Sequence, residues 1–316
     1  MGGQARDHGG GLDAAVARHG GARAGWIDLS TGINPLPYPV PPLPDDTWSA
    51  LPDSAAHAAL ESAARSHWDV PEDAAILAAP GASALIARLP ALTGAARVHI
   101  AAPTYNEHAA AFAAHGWEVT ESAAAKDVAA RVIVNPNNPT GAWHGAEALG
   151  APLTIVDESF ADIRPAGSLI AHAGEPGVIV LKSFGKFWGL AGLRLGFAIG
   201  APDLIERLGE WLGPWPVSGP ALAVGELALL DTDWAARTRV RLERDAERLD
   251  ALMNKAGAEV TGGCALFRLY RVENAARWQE RLAKHHIWSR RFPYADDWLR
   301  LGLPAPGAWD RLEATL

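Results

Sequence analysis

Cysteine and long apolar runs are the two features that this chain most clearly lacks. Cys264 is the only cysteine among 316 residues, so the chain forms no internal disulfide and no cysteine-based metal site. No run of about 18 apolar residues occurs, and the sequence therefore predicts no membrane-spanning helix. Residues 1–13 are glycine-rich and polar and lack the apolar run of a signal peptide, so we expect a cytoplasmic protein.

An excess of basic charge is also missing. The formal net charge is −8 at pH 7, which argues against a general surface for nucleic acid or anionic membranes. An anionic ligand must then be bound by a local cluster of donors. Hydrophobic residues make up 49% and charged residues 20%, which excludes global disorder and permits a sizeable core. No residues stand at metal-ligand spacing, and we predict no metal site.

The middle of the chain alternates short apolar segments with helical segments. We predict an α/β fold with strands at 75–79, 97–101, 118–121, 131–134, 153–157, 177–182 and 195–199. Strands of this kind predict a mainly parallel sheet that is covered by helices on both faces. Ligands bind such sheets beyond the carboxyl ends of the strands, and that is where Gly81, Asn138, Asp157 and Ser183 fall.

The two ends of the chain have a different pattern. A proline-rich connection at 35–44 must be extended, and a helical segment at 220–256 precedes a smaller α+β unit with strands near 265–270 and 299–303. We therefore predict an N-terminal arm and small-domain segment at 1–45, a large domain at 46–220 and a C-terminal small domain at 221–316.

Lys186 lies in the most informative segment, which begins at Ser183 and ends at Arg194. Its neighbours are apolar or glycine, although lysine normally stays solvated. One reason to place a lysine there is covalent, because its amine can hold an aldehyde cofactor as a Schiff base. Ser183 and Arg194 would then bind the phosphate of that cofactor.

Two strand-to-helix turns point to the same kind of ligand. Gly81, Ala82 and Ser83 offer backbone N–H groups at a helix start, which can cradle a phosphate, although many such turns look alike. Tyr105 begins a helix after Ala102-Pro103-Thr104 and could stack on a planar heteroaromatic ring. Taken alone, packing on the core is the more common role for such an aromatic residue.

Two further residues follow buried strands. Asn138, in Asn135-Pro136-Asn137-Asn138-Pro139-Thr140-Gly141, could donate its amide to a phenolate oxygen, or simply form a tight turn. Asp157 ends an apolar strand, where a buried carboxylate needs a cationic partner. A protonated pyridine nitrogen would be such a partner, while a metal ion or a helix N-terminus would also suit this residue taken alone.

Together and in this order, these features resemble the fold-type I, aspartate-aminotransferase-like family of pyridoxal phosphate (PLP) enzymes. The resemblance implies a large domain with a mainly parallel, mixed sheet between helices, a smaller α+β domain, and a homodimer. It implies that Lys186 carries PLP, Asp157 pairs with the pyridine nitrogen, Asn138 binds the ring hydroxyl oxygen and Tyr105 stacks on the ring. The phosphate would be held by Gly81, Ala82, Ser83, Ser183 and Arg194.

The resemblance is nearest to the subfamily that holds histidinol-phosphate aminotransferases and threonine-phosphate decarboxylases. Asp7-His8-Gly9-Gly10 and the segment from Ser30 to Asn34-Pro35 look like the start of the decarboxylases. This likeness implies that His8, Asn34 and Arg290 bind a phosphorylated amino acid and that Arg300 takes its carboxylate. A guanidinium suits the carboxylate because it forms two parallel hydrogen bonds. Arg291, the neighbour of Arg290, stays an alternative phosphate ligand.

The implied reaction is decarboxylation of O-phospho-L-threonine to (R)-1-aminopropan-2-yl phosphate and CO₂ in cobalamin biosynthesis. The alternative is histidinol-phosphate aminotransferase or a related PLP aminotransferase, which would share the Lys186 segment. A PLP-fold protein kept as a non-catalytic component is a third reading, and the intact set of ligands argues against it. Three positions depart from the family pattern: Phe160 and Leu51 replace common tyrosines, and Gly185 replaces a common serine.

Overall fold

The computed structural model describes residues 8–122, 124–125 and 127–316, which form two compact units. The large unit comprises 37–138 and 142–237, and the small unit comprises the described residues up to Leu36, Pro139–Gly141 and Thr238–Leu316. We predicted that the large domain would begin at residue 46 and end at residue 220. In the structure, residues 37–45 and 221–237 also belong to the large unit. The reason is packing: the Tyr38 amide donates to the Trp188 carbonyl at 2.9 Å, and the Tyr38 ring meets Trp234 edge-on at 5.3 Å.

The large unit is built on a seven-stranded mixed sheet. Neighbouring strands follow the order Ala75–Ala79, Gly196–Gly200, Val178–Ser183, Leu153–Asp157, Ala130–Val134, Arg97–Ile100 and Glu118–Thr120. Gly196–Gly200 is antiparallel to both of its neighbours, and every other neighbouring pair is parallel. The seven predicted strands are confirmed, and their ends differ from the observed ones by at most one residue. Leu153–Asp157 is buried at all five positions, as expected for a strand covered on both faces.

Helices surround this sheet. Within the described part of the large unit they are Asp46–Ser49, Ser54–Trp68, Ala82–Ile86, Asn106–Ala114, Pro202–Leu212 and Gly219–Leu230, and the long helix Thr232–Lys255 follows. Asp53 is the N-cap of the second, because its carboxylate accepts the Ala56 amide at 2.8 Å. The helix Ala82–Ile86 is short, and a 3₁₀ turn at Leu89–Leu92, which contains Pro90, follows it.

Aromatic rings pack densely around the Lys186 segment. Phe184, Phe187 and Trp188 have no exposed surface. The Trp188 ring stacks on Phe184 with centroids 5.2 Å apart and on Trp234 with centroids 5.4 Å apart. This cluster gives several of the 13 tryptophans a packing role and fixes the loop that carries Lys186.

The small unit contains an antiparallel sheet. Its strands follow the order Arg290–Phe292, Ala295–Gly302, Phe267–Arg271 and Glu259–Cys264. Ile27–Asp28 pairs separately with Ile287–Trp288 in a parallel arrangement. Most of the long helix Thr232–Lys255 belongs to this unit, because the division falls between residues 237 and 238. The other helices described in it are Leu12–His19, Ala275–Lys284 and Trp309–Thr315. None of the helices described in the chain combines the length and the apolar character needed to cross a membrane.

Candidate active site

Four of the predicted cofactor ligands, Gly81, Asn138, Asp157 and Ser183, lie at or just after the carboxyl ends of their strands. These strand ends are here called the carboxyl edge of the large sheet. Ala79 and Ser183 both pair with Gly196, so the turn at Gly81 and the start of the Lys186 segment lie on the two sides of the strand Gly196–Gly200. Asp157 ends the next strand and pairs with Leu181, and the strand that leads to Asn138 follows it in the sheet. The structure therefore brings together residues that are about a hundred positions apart in the sequence.

The turn at Gly81 has a geometry that could cradle an anion. Gly81 has a φ of +86°, and a Cβ added there would lie 2.6 Å from the Arg194 Nη2 atom. The Arg194 guanidinium thus occupies the space that a side chain at Gly81 would fill, next to the first amides of the helix Ala82–Ile86. Arg194 itself has a left-handed backbone, and its Nη1 donates to the Ala191 carbonyl at 3.1 Å. The Ser83 side chain is exposed.

Asp157 is a buried carboxylate with a full set of donors. The His108 Nε2 atom lies 2.8 Å from Oδ2, and the Ser159 hydroxyl and amide donate to Oδ1 at 2.5 and 3.0 Å. Burial by itself raises the pKa of this carboxyl, but the hydrogen bonds from His108 and Ser159 outweigh it and the pKa lies below its ordinary value. Asp157 is therefore ionised at neutral pH and suits a cationic ring nitrogen.

Lys186 is half-buried on a tight loop. The Gly189 amide donates to the Lys186 carbonyl at 3.1 Å, and the Leu190 amide donates to the Phe184 carbonyl at 3.1 Å. The Lys186 Nζ atom lies 5.3 Å from the centroid of the Phe160 ring. Phe160 thus contributes an apolar, weakly cation-binding face where a tyrosine would have contributed a hydroxyl. A Cβ on Gly185 would make only ordinary contacts of 3.5 Å, so available space does not explain why serine is absent there.

The residues of this edge fit PLP. The cofactor needs an ionised carboxylate, a phosphate cradle, a lysine amine and an aromatic ring, and the large unit supplies each of them near the same sheet edge. Tyr105 and Asn138 are half-buried in the turns that follow their strands. The Tyr105 ring meets the His108 ring edge-on, with centroids 5.9 Å apart, so the ring predicted to stack on the cofactor adjoins the partner of Asp157.

Sequence reasoning missed His108. It lies three residues after Tyr105, which is one turn along the helix Asn106–Ala114 and on the same face. That spacing was the available signal. It also missed the buried carboxylates Glu158 and Asp162 and the buried Lys182, whose polar character in apolar strands and turns gave no indication of their partners.

A second cluster of predicted residues lies in the small unit. Arg300 is 5% exposed, its Nη2 donates to the Ser30 carbonyl at 2.6 Å, and it pairs across the sheet with Arg290. Burial, and after it the positive charge of Arg290, lowers the pKa of Arg300 to about 10. Arg300 still carries its proton at neutral pH. Two adjacent guanidinium charges of this kind favour an anionic ligand.

Arg291 points to a different environment from Arg290. Its Nε donates to the Gln279 side-chain oxygen at 2.7 Å, and the residue is exposed. Arg290 is less exposed, and its guanidinium carbon lies 5.5 Å from the centroid of the Phe292 ring. Because side chains alternate along a strand, only one of these two neighbours shares a face with Arg300, and the register gives that place to Arg290.

The N-terminal segment is docked on the small unit just after His8. The Gly10 amide donates to the Ser30 hydroxyl at 2.7 Å, and the Trp288 indole donates to the Gly10 carbonyl at 3.0 Å. The His8 side chain is exposed. Asp7, which precedes it in the motif, lies outside the described residues. Asn34 is 2% exposed, and its Oδ1 accepts from Arg241 Nη2 at 2.5 Å and from the Leu36 amide at 3.0 Å.

Known proteins match this chain over nearly its whole length. The family model described as "Aminotransferase class I and II" matches residues 26–312. A threonine-phosphate decarboxylase from Sinorhizobium sp is 43% identical to this chain, and the alignment covers 96% of this chain and 95% of that protein. A threonine-phosphate decarboxylase from Pseudomonas aeruginosa is 40% identical, with 97% of it and 98% of this chain covered.

Solved structures show the same fold. A histidinol-phosphate aminotransferase from Sinorhizobium meliloti, solved in complex with pyridoxal-5'-phosphate, superposes with a TM-score of 0.79 at 20% identity. The superposition covers 96% of this chain and 93% of that one. The extent of the family match and the identity to full-length relatives lead to one conclusion: the chain belongs to the class I and II aminotransferase family, with the fold-type I architecture.

Proposed function

We propose that this chain is a PLP-dependent decarboxylase that converts O-phospho-L-threonine to (R)-1-aminopropan-2-yl phosphate and CO₂, a reaction of cobalamin biosynthesis. The observation that carries the proposal is the identity of 43% and 40% to threonine-phosphate decarboxylases over almost the full length of each chain. Arg290 and Arg300 stand opposite each other on neighbouring strands, and two arginines at such positions support a substrate with two anionic groups.

The cofactor of this family is PLP, which, when bound, acts as an electron sink for the bond that breaks at Cα. Lys186 would hold it through Nζ. The ionised Asp157 would keep the pyridine nitrogen protonated, and His108 and Ser159 keep Asp157 ionised. Tyr105 would pack on one face of the ring, and Asn138 would donate to the ring oxygen, alone at this position because Phe160 has no hydroxyl.

The phosphate of the cofactor would be bound at the Gly81 cradle. The amides of Ala82 and Ser83 lie at a helix start, Arg194 contributes its charge, and the Ser183 hydroxyl contributes a donor. The Ser183 oxygen already accepts the Gly185 amide at 3.3 Å, which leaves its hydrogen to point elsewhere. These donors fix the cofactor at its phosphate, so that its reactive end can be fixed independently by Lys186.

The substrate would be oriented by four further residues. Arg300 would bind the carboxylate, and His8, Asn34 and Arg290 would bind the phosphate. The positions at which these residues hold the carboxylate and the phosphate would decide which bond at Cα breaks. In a decarboxylase it is the bond to the carboxylate carbon. Lys186 Nζ would then deliver the proton that replaces CO₂ at Cα.

The test is to incubate the purified protein and PLP with phosphothreonine, with and without 2-oxoglutarate, and to identify the products. We expect CO₂ and the aminopropanol phosphate in equal amounts in both samples, because no amino acceptor is needed. Release of no CO₂ would disprove the proposal. Glutamate formation that depends on 2-oxoglutarate would instead identify an aminotransferase.

The homodimer and the cytoplasmic location are also proposals. The family resemblance supports a dimer, and so do Trp48 and Leu51, which are 70% and 67% exposed on one short stretch of the large unit. Light scattering should give twice the chain mass of 33.4 kDa. Cell fractionation tests the location.

A further inference from the structure

A buried lysine other than Lys186 adjoins the proposed cofactor ligands and takes no part in the proposed reaction. Lys182 is 2% exposed, and its Nζ donates to Glu158 Oε2 at 2.6 Å. The Ser168 hydroxyl donates to the same oxygen at 2.5 Å, and the Leu169 amide donates to Oε1 at 2.6 Å. A buried ion pair with this many hydrogen bonds is tolerated, whereas either charge left alone would be strongly destabilising.

Asn135 extends the same network to a third strand. It has no exposed surface, and its Nδ2 donates to Glu158 Oε1 at 3.2 Å and to the Gly167 carbonyl at 3.0 Å. Its Oδ1 accepts the His144 amide at 3.0 Å. Every polar atom of this side chain is therefore engaged, which fixes its orientation.

Each member of the network adjoins a proposed cofactor ligand. Glu158 directly follows Asp157, Lys182 directly precedes Ser183, and Asn135 begins the turn that carries Asn138. Backbone hydrogen bonds also join the three strands next to these residues. The Asn135 amide donates to the Asp157 carbonyl at 2.8 Å, and the Glu158 amide donates to the Leu181 carbonyl at 3.0 Å.

We propose that Glu158, Lys182 and Asn135, here called the support network, are positioning residues that set the spacing of the cofactor ligands. The inference rests on the proposed assignment of Asp157, Asn138 and Ser183 as those ligands. A site must be held to about 0.5 Å to be productive, and side chains that support the ligands supply that precision. The support network joins the ends of three adjacent strands, at the point where the backbone hydrogen bonds between these strands end.

Lys182 is not an alternative to Lys186. Its amine is held by Glu158 and by the Ser168 hydroxyl, at 2.6 and 3.4 Å, and the Trp68 ring lies 5.6 Å from its Nζ. A lysine enclosed in this way cannot present its amine to an aldehyde. Its charge acts within the network.

The experiment separates positioning from stability by removing both charges together. Glu158→Gln and Lys182→Met are made singly and as a pair, because the pair leaves no unpaired buried charge and changes the volume little. Asp250→Asn is the control. Asp250 accepts from Arg268 at 2.7 Å and from the Tyr270 hydroxyl at 2.8 Å in the small unit, so the variant also breaks a partly buried ion pair, away from the cofactor ligands.

Three quantities are measured for each protein: the unfolding temperature without cofactor, the Kd for added PLP, and the pH midpoint of the absorption band of the bound cofactor. The single variants should unfold at the lowest temperatures. The double variant should recover most of that loss and still bind PLP about tenfold more weakly, as supporting residues of metal sites do. Its pH midpoint should differ measurably from that of wild type, because the ligands around the cofactor have moved. Asp250→Asn should alter the unfolding temperature alone.

A double variant that binds PLP with the wild-type Kd and pH midpoint would overturn the proposal, because the network would then act only on stability. If the double variant fails to fold, Ser168→Ala is used instead. It removes one donor to Glu158 at a half-buried position, and about threefold weaker PLP binding with a nearly unchanged unfolding temperature is expected. An unchanged Kd in Ser168→Ala would likewise count against it.

Failure of the proposed function gives a different result. In that case wild-type protein releases no CO₂ from phosphothreonine, or Asp157→Ala binds PLP as wild type does. The support network would still be tested by the PLP measurements in the first case, since they need no substrate. In the second case the ligands themselves are misassigned, and the inference falls with them.

Discussion

Arg290 and Arg300 place two positive charges on neighbouring strands of the small unit. Arg300 is buried and pairs directly with Arg290 in the antiparallel register. Holding two guanidinium groups together costs free energy unless an anion lies between or beside them. Arg291 escapes this cost, because it is exposed and donates to Gln279.

Replacement of either neighbour by glutamine should therefore have very different effects. Arg290→Gln should raise KM for phosphothreonine and lower kcat/KM by about 10- to 100-fold, the loss expected for one charge-assisted hydrogen bond. Arg291→Gln should stay within about threefold of wild type, because it loses only an exposed contact. Steady-state kinetics of the two variants, side by side, decide the assignment, and equal losses in both would reject it.

Asp157 predicts a specific pH dependence of stability. Its pKa is lowered in the folded protein, so it stabilises the fold at pH values above the ordinary carboxyl pKa, and this stabilisation is lost as the pH falls through the lowered pKa. Asp157→Asn cannot titrate there. Denaturant unfolding without cofactor should show the variant less stable by about 2 kcal/mol at pH 7, the scale of hydrogen bonds to a charged group.

That difference should remain constant from pH 8 to about 5 and shrink below about pH 4, where ordinary carboxyls titrate. The control is Asp53→Asn, because Asp53 caps an exposed helix start and asparagine is an equally good N-cap. A gap between wild type and Asp157→Asn that widened toward acid pH would contradict the lowered pKa.

At the scale of elements, the anion cradle depends on the turn between Ala75–Ala79 and the helix Ala82–Ile86. Gly81 adopts a positive φ there and leaves room for Arg194. Any side chain at this position is both strained and in contact with the guanidinium. The absence of a side chain at one residue thus determines where a charge at another residue lies.

Gly81→Ala should weaken PLP binding by at least about tenfold and destabilise the protein by about 1 kcal/mol, from the strained φ and the displaced guanidinium. Gly94→Ala is the matched control, because a Cβ at Gly94 meets no atom within 4 Å and its φ is not positive. A PLP titration followed by absorbance measures the first effect and thermal unfolding the second. Equal affinity in the two variants would show that the phosphate binds elsewhere.

The N-terminal segment shows a related dependence between elements. Gly10 and Arg300 both donate to Ser30: the Gly10 amide donates to the Ser30 hydroxyl, and Arg300 donates to the Ser30 carbonyl. A Cβ on Gly9 would lie 2.5 Å from the same carbonyl oxygen. The segment that carries His8 is therefore seated on the residue that also orients Arg300.

At the scale of the whole molecule, PLP should stabilise the fold through its attachment at Lys186. A ligand present at 100 times its Kd adds about 2.7 kcal/mol to the free energy of unfolding. The unfolding temperature of wild type should therefore rise with added PLP and fall when hydroxylamine removes it. Lys186→Ala should lose the visible absorption band, all decarboxylation and most of this rise.

Lys255→Ala is the control for that measurement, since Lys255 is an exposed lysine at the end of the long helix. It should keep the band and the full rise in unfolding temperature. A band that persisted in Lys186→Ala would show that another lysine carries the cofactor.

Much of this molecule could be predicted from local sequence. The strands of the large sheet, and the turns predicted to carry the cofactor ligands, follow from short-range patterns: apolar runs of four to six residues, followed by Gly, Asn, Asp or Ser. The predicted boundaries at 45 and 220 differ from the observed division, because assignment of residues 37–45 and 221–237 depends on contacts of Tyr38 and Trp234 with rings far away in the sequence. No local pattern contains such contacts.

The sequence by itself determined the strands of the large sheet and the family, because each depends on residues close together along the chain. Tertiary structure alone decided which side chains support one another. It placed His108 on Asp157, Lys182 on Glu158, and Arg290 rather than Arg291 beside Arg300. The physical reason is that a buried charge is tolerated only with a partner, and the partner is chosen by strand register and packing rather than by sequence distance.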